Sequence, residues 1–341
     1  MKQAILISPE KFEFREVEIP QVKAGEALIK VRSVGICGSD IHAYYGRHPF
    51  ISCPIVMGHE ATGEIVEVAD GVKNIKKGDR VVMRPQKICG ECLLCRTNRY
   101  NICKKLEVIG CQCTGACSDY FAVDAGILYK LPDNVEYDVG TVIEPLAVGV
   151  HAAKRGIDGS LAGKKLVVSG AGTIGNVVAQ AAKGLGADKV MITDISDYKL
   201  ELAKKCGIDY AVNVAKTDLG EAIAKEYGED GADAIYECTA SAAALNSILE
   251  VARKGSTIVI VGVFSNKTTM NMANVQDREY QLRGSLMYTH EDYLDAIDLV
   301  KEGKVDLKTL ISKEFALTDI AKAYKYIEDN RDTVQKVILN V

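Results

Sequence analysis

The sequence predicts an α/β protein built from a β-rich domain interrupted by a doubly wound parallel-sheet domain. Three observations carry this. The chain has 341 residues, enough for about two domains at roughly 150 residues each. Its first 145 residues hold short β-branched runs and no long helical period. Beyond them, apolar strands alternate with amphipathic helices, and a glycine-rich turn opens the first such helix.

Composition sets the outer limits. Hydrophobic residues make up 48% and charged residues 26%, with 42 Lys+Arg against 46 Asp+Glu and a net charge of −4. High apolar content with low net charge excludes a disordered chain. Without a basic excess there is no electrostatic footprint for nucleic acid. The apolar runs fall short of the roughly 20 residues that a membrane span needs, so no membrane partner is expected. The N-terminal run Ala4-Ile5-Leu6-Ile7 is too short for a secretory signal and reads as a strand, which points to a cytoplasmic protein.

Ala27–Val31, Gly63–Val68 and Arg80–Met83 continue the β-rich part, each bounded by Gly, Asp or Pro. Leu166–Gly170 reads as a buried strand. Residues 175–186 read as a helix, with Val177, Val178, Ala181, Ala182 and Leu185 on one face. Val190–Asp194 is the next strand, and a helix from about Asp197 to Cys206 stops at Gly207. Strand 234–238, helix 242–252 and strand 257–261 complete the alternation. Two tail helices, about 292–302 and 319–328, precede a strand at 334–341 that can return to the first domain. The expected boundaries are 1–146, 147–285 and a returning 286–341.

Gly170-Ala171-Gly172-Thr173-Ile174-Gly175 fits G-x-G-x-x-G between a predicted strand and helix. Gly170 permits the tight turn, Gly172 lets the backbone approach a pyrophosphate, and Gly175 lets the helix pack close to the strand. Asp194 ends the next strand, where a carboxylate accepts from ribose hydroxyls and repels a 2′-phosphate, favouring NAD over NADP. Lys199, one turn on, is within reach of the adenosine ribose or is simply solvated. The bland alternative for the whole motif is a βα turn that happens to be rich in glycine.

Eleven cysteines call for an account. Cys89, Cys92, Cys95 and Cys103 span fifteen residues, and four thiolates so spaced can close a tetrahedral zinc site with no position left for substrate. An iron–sulfur run has a related spacing but a shorter last gap, and a redox dithiol needs fewer thiols. Cys37, His59, Glu60 and Glu144 offer a thiolate, an imidazole and two carboxylates, which suggests a second, open metal site. Their bland readings are a buried thiol and a satisfied core histidine.

Several of these motifs, taken together, resemble the zinc-containing medium-chain alcohol dehydrogenases. They are Gly35-Ile36-Cys37-Gly38-Ser39-Asp40-Ile41-His42, Gly58-His59-Glu60, the four-cysteine lobe, Glu144-Pro145-Leu146-Ala147-Val148-Gly149-Val150-His151-Ala152, and Gly170–Gly175. The likeness runs essentially end to end, and Glu144-Pro145 is similar to the polyol, sugar-acid and threonine dehydrogenase branch. It implies a GroES-like β-barrel catalytic domain, with a structural zinc lobe at 86–104, interrupted by a Rossmann domain. It also implies two zinc ions per chain and NAD. Cys37 and His59 map as catalytic zinc ligands and Glu60 as the third. Glu144 is then a ligand or a hydrogen-bond partner of the metal's water. Adjacent residues His59 and Glu60 can both face one ion only where the backbone leaves regular strand geometry, and Gly58 makes such a kink cheap. Ser39 and His42 occupy the family's proton-relay positions. Thr173, Ile174, Thr239 and Val261 are further candidates for cofactor contact.

The implied activity is hydride transfer between NAD and a secondary alcohol of a polyol or sugar acid. An L-threonine-type or short-diol dehydrogenase is the alternative. A zinc- and NAD-binding protein without turnover is a third reading, though it would not need an open metal position. Tyr44, Arg47 and Tyr288 are candidate substrate residues. Met287 stands where sorbitol dehydrogenases carry an arginine, and Cys111, Cys113 and Cys117 replace the family's usual Asp-Gly-Gly pattern. The resemblance further implies a homotetramer or homodimer.

Overall fold

The computed structural model describes all 341 residues as two compact units: Met1–Glu144 with Ile311–Val341, and Pro145–Leu310. No helix is long and apolar enough to cross a membrane.

Unit 1 is built on a seven-stranded sheet. Its main path runs Ile311–Ala316, Lys336–Asn340, Glu26–Ile36, Glu60–Val68, Arg80–Met83, Leu128–Lys130, with Tyr120–Asp124 paired to the first part of Glu26–Ile36. Only the first pair is parallel. The β-branched runs read from sequence lie inside these strands, and Ile29, Val31, Ile65, Val81 and Met83 form their buried face. Gly63 is required where two strands meet closely, since a Cβ there would lie 2.4 Å from Lys30 O.

Unit 2 is a six-stranded, all-parallel sheet in the order Tyr210–Asn213, Lys189–Asp194, Lys165–Ser169, Ala234–Glu237, Thr257–Ile260, Gln281–Gly284. The strand order reverses beside Lys165–Ser169, and doubly wound sheets bind ligands at such a switch point. Both faces are covered. Val168, Ile192, Tyr236 and Val259 pack on one side, while Val167, Met191, Ile235 and Ile258 pack on the other. This double burial explains why the strands read as continuous apolar runs.

The boundaries differ from expectation. The first division falls at Glu144, inside helix Ile143–Gly156, where Pro145 occupies the first turn and needs no hydrogen bond. The second falls at 310/311 rather than 285/286. Helix His290–Lys301 stays with unit 2 because it is tied there. Asp292 takes His151 Nδ1 at 2.7 Å and Lys154 Nζ at 2.9 Å, and Leu299 packs over Gly184 of helix Thr173–Gly184. Gln180 then exchanges two hydrogen bonds with the Asp306 backbone. The two tail helices therefore divide between the units.

Candidate active site

At the switch point, Ser169 leads into Gly170, whose φ of +102° a side chain would resist. A Cβ on Gly175 would lie 1.8 Å from Gly170 O, so only glycine lets helix Thr173–Gly184 start this close to the strand. Gly172 caps that helix, and a Cβ there would meet nothing within 4 Å. The backbone is thus open on the side where helix N–H groups can face a pyrophosphate. Half-buried Asp194 accepts from Ala171 N at 2.7 Å and Ser196 N at 2.9 Å, which fixes its carboxylate beside the turn. Lys199 is half-buried behind it, and its N–H points to the Ser196 cap.

Thr239 and Val261 flank the same sheet end, and both are organised by a residue that the sequence reading passed over. Glu237 is fully buried. Its carboxylate accepts from Thr239 N at 2.8 Å, from the Thr239 hydroxyl and from Ala240 N at 3.2 Å, while its carbonyl accepts from Val261 N and Gly262 N at 2.9 Å. The available signal was an acid ending the otherwise apolar run Ala234-Ile235-Tyr236.

The four-cysteine lobe lies in unit 1. Its thiols stand 3.5–4.0 Å apart around the pairs Cys89–Cys103, Cys92–Cys95, Cys89–Cys95 and Cys92–Cys103. Tetrahedral zinc with Zn–S bonds near 2.3 Å requires S···S separations of about 3.8 Å, so the donor set fits. Backbone N–H groups of Cys92, Cys89 and Lys105 point at Cys89 and Cys103 sulfurs, an arrangement that favours thiolates. The N–H groups of Lys104 and Cys95 pull the Cys92 thiol down to about 6.

Cys37, His59 and Glu60 form a second cluster, their ligand atoms all within 4.8 Å of one another. The anticipated kink is present. Gly58 has φ +99°, and strand Glu60–Val68 begins only after His59. Cys37 is the N-cap of helix Gly38–Tyr44. Buried Asp40 braces both ligands, accepting from Cys37 N at 2.9 Å and lying 3.5 Å from His59 Nδ1. Burial opposes a charged His59, yet the nearby Asp40 carboxylate and Cys37 thiol outweigh it and hold the imidazole well above its usual range. Surroundings that retain a proton there suit a metal cation in its place.

Glu60 is wholly buried and gripped by Lys336, whose Nζ lies 2.7 and 2.8 Å from its two oxygens and 3.2 Å from Ile36 O. Gly35 makes room for this carboxylate, since a Cβ there would sit 2.0 Å from Glu60 Oε2.

Two family matches cover these parts. Residues 23–133 match the alcohol dehydrogenase GroES-like domain, and residues 173–302 match zinc-binding dehydrogenase. Sorbitol dehydrogenase 1 of Saccharomyces cerevisiae is 34% identical over 333 residues, covering 94% of this chain and 92% of the relative. The chain belongs to the zinc-containing medium-chain alcohol dehydrogenase family. It is a zinc-binding dehydrogenase. Among solved structures, a protein described as a short chain alcohol dehydrogenase of Escherichia coli CFT073, complexed with cofactor NADH, shares 30% identity. Its TM-score is 0.91, over 100% of this chain and 99% of that one. Galactitol-1-phosphate dehydrogenase of Escherichia coli shares 28% identity at TM-score 0.91, covering 100% of both chains.

Glu144 is buried and is not among the three clustered ligand atoms, but its charge acts on Lys336, which grips Glu60, so it stands beside that cluster. Tyr44 is buried in the core of unit 1. It stacks on Tyr324 and Phe12, and its hydroxyl donates to Glu10 O at 3.3 Å. Arg47 is exposed and lies over the Tyr45 ring at 5.1 Å. Tyr288 is fully buried against Tyr293 in unit 2. Ring packing is what an aromatic residue with the right spacing most often does, and spacing alone could not separate the two uses.

The cysteine-bearing loop of the dehydrogenase is packed onto the ligand segment. Gly115 N, Ala116 N and Cys117 N donate to Val56 O, Gly58 O and Met57 O. A Cβ on Gly110 would lie 2.8 Å from the Gly58 backbone. Cys111 Sγ sits 4.0 Å from His59 Nδ1, and Cys117 is buried behind Gly58. Cys113 is half-buried on the far side of the loop.

Proposed function

We propose that this chain oxidises a secondary alcohol of a polyol or sugar acid with NAD, in a site whose catalytic zinc is held by Cys37, His59 and Glu60. The observation that carries the proposal is the buried three-donor cluster. It offers fewer protein ligands than a closed structural site, so one position is free for substrate. Cys89, Cys92, Cys95 and Cys103 hold the structural zinc.

When bound, zinc supplies a Lewis acid that acidifies the substrate hydroxyl, and NAD supplies the hydride acceptor. The chain's own groups do the rest. Asp40 fixes the His59 ring and the Cys37 backbone, so the ligands keep their directions. Ser39 and His42 are three residues apart on helix Gly38–Tyr44, hence on one face, with Ser39 half-buried and His42 exposed. That order suits a proton moving from the substrate hydroxyl through Ser39 to His42 and solvent. Gly170, Gly172 and Gly175, with Thr173 and Ile174, cradle the pyrophosphate. Asp194 and Lys199 hold the adenosine ribose, and Thr239 and Val261 line the nicotinamide half.

Strand Gln281–Gly284 has a partner on one side only, which supports a homodimer or homotetramer. None of the eleven cysteines is in a disulfide, which supports a reducing cytoplasmic setting.

The test is a substrate panel scored by NADH absorbance, containing sorbitol, a polyol phosphate, a sugar acid, L-threonine and a 2,3-diol. It is run beside metal analysis of the wild type and Cys37→Ser. The expected result is turnover on a polyol or sugar acid. Cys37→Ser should lose that activity and one of the zinc ions while circular dichroism is unchanged. Normal turnover by Cys37→Ser would overturn the site assignment, and turnover on L-threonine alone would overturn the substrate class.

A further inference from the structure

A cavity of about 690 Å³ opens in unit 1, and none of Cys37, His59 or Glu60 lines it. Its volume falls in the range of small-molecule sites, roughly 300–1,000 Å³. It exists because strand Tyr120–Asp124 pairs with Glu26–Ile36 along one edge and leaves the other edge without a strand partner. Ile109, Phe121 and Ile127 give it apolar walls. Arg84, just past strand Arg80–Met83, closes one end beside Gln86 and Lys87.

Arg84 is 9% exposed, and a guanidinium cannot shed its charge. Its partners are neutral. Nε donates to the Tyr129 hydroxyl at 3.2 Å, Nη1 donates to Gln86 Oε1 at 2.8 Å, and the group lies over the Tyr100 ring at 6.0 Å. It forms no ion pair, and its side chain is part of the cavity wall. Two acids share the cavity wall and keep their charge, but neither pairs with Arg84: Glu26 accepts from Lys23 N at 3.0 Å and Asp124, which is exposed, from Gly126 N at 2.7 Å. A buried charge is ordinarily paired, so the missing counter-charge is a feature to be explained. Lys87, exposed on the same wall, adds a second positive charge.

We propose that this cavity is a second ligand site that takes a small metabolite bearing a carboxylate or phosphate group, with Arg84 as its anion receptor. A planar guanidinium fork matches either oxyanion. The apolar walls hold the body of the ligand, and Lys87 reinforces the charge at the mouth. The site is separate from the alcohol and dinucleotide sites, so it stands or falls without them.

The test uses the zinc-loaded full chain in a chloride buffer free of other anions. Inorganic phosphate and butyrate are titrated separately, and binding is followed by calorimetry and by the shift in melting temperature. Wild type, Arg84→Met, Arg84→Lys and Lys87→Met are compared. Saturable binding of either anion is expected, weakened about tenfold or more in Arg84→Met, less in Arg84→Lys and less again in Lys87→Met. Phosphate binding without butyrate binding would assign the phosphate class, and the reverse the carboxylate class. Absence of saturation by both anions in the wild type overturns the proposal. So does equal binding by wild type and Arg84→Lys or Lys87→Met, which controls for a misfolded Arg84→Met. Loss of subunit association in the Arg84 variants without any anion binding also overturns it, and reassigns the cavity to a contact between copies.

Discussion

Replacing Lys336 by methionine isolates the charge balance of the candidate zinc site. Lys336 and Glu60 are 4% and 0% exposed in their side chains and 2.7 Å apart. At an effective dielectric of about 20 the gross attraction at that distance is about 6 kcal/mol, and lysine desolvation offsets part of it. Removing one partner of such a pair costs about 3–5 kcal/mol, because the other charge is left buried alone. Protonation limits that cost. Neutralising a carboxyl of ordinary pKa about 4.3 takes about 3.7 kcal/mol at pH 7 and about 1 kcal/mol at pH 5. In Lys336→Met a buried carboxylate is left without its cation, so the penalty is small in acid, where carboxyls are neutral, and grows as pH rises. Metal-free protein should therefore lose about 3–4 kcal/mol at pH 7 and about 1 kcal/mol at pH 5, with a smaller loss at pH 7 when zinc is present. The measurement is urea denaturation followed by circular dichroism, since the chain has no tryptophan. A loss at pH 7 below about 1 kcal/mol, or one equal at both pH values, would refute the reasoning.

Other sites give sharper but narrower tests. Gly175→Ala places a methyl 1.8 Å from Gly170 O, where the obstacle is backbone. It should cost about 1–3 kcal/mol and raise the NAD dissociation constant more than the alcohol KM, as read by calorimetric unfolding and cofactor titration. Asp292 is a buried carboxylate. Burial raises its pKa, but hydrogen bonds from His151 and Lys154 more than compensate and hold it well below the usual carboxylate range. Its stabilising effect is thus present above the unfolded pKa near 4 and lost as pH falls below it. Asp292→Asn should cost about 2–4 kcal/mol at pH 7, and the gap to wild type should narrow toward pH 3 in thermal melts. A gap constant with pH would count against this account.

How much of this was legible in the sequence depends on the range of the interaction involved. Gly170, Gly172 and Gly175 act within one turn, so their spacing was enough. The four cysteines likewise close on themselves within fifteen residues. Cys37 and His59 were found only through motifs, because Asp40 and a left-handed Gly58 bring them together across two chain segments. Lys336 was invisible, since an isolated lysine before an apolar run looks like any strand residue until it meets Glu60. Tyr44 and Tyr288 also matched positions of interest, and the structure places both in aromatic packing, a use that spacing alone does not separate from substrate contact. The second boundary was misplaced because Gln180, His151 and Lys154, far back in the chain, hold residues 290–306 to unit 2.

The pairing of Glu60 with Lys336 spans 276 residues of sequence. All of unit 2 is translated between them. At 5–20 residues per second, the ribosome adds that length in roughly 14–55 s. Throughout this interval the Glu60 carboxylate lacks its cation and strand Glu26–Ile36 lacks the neighbour that Lys336–Asn340 becomes. Unit 2, continuous in sequence, is free to fold on the nascent chain first. The proposed Cys37–His59–Glu60 site therefore gains its Lys336 brace only after the final strand has been made.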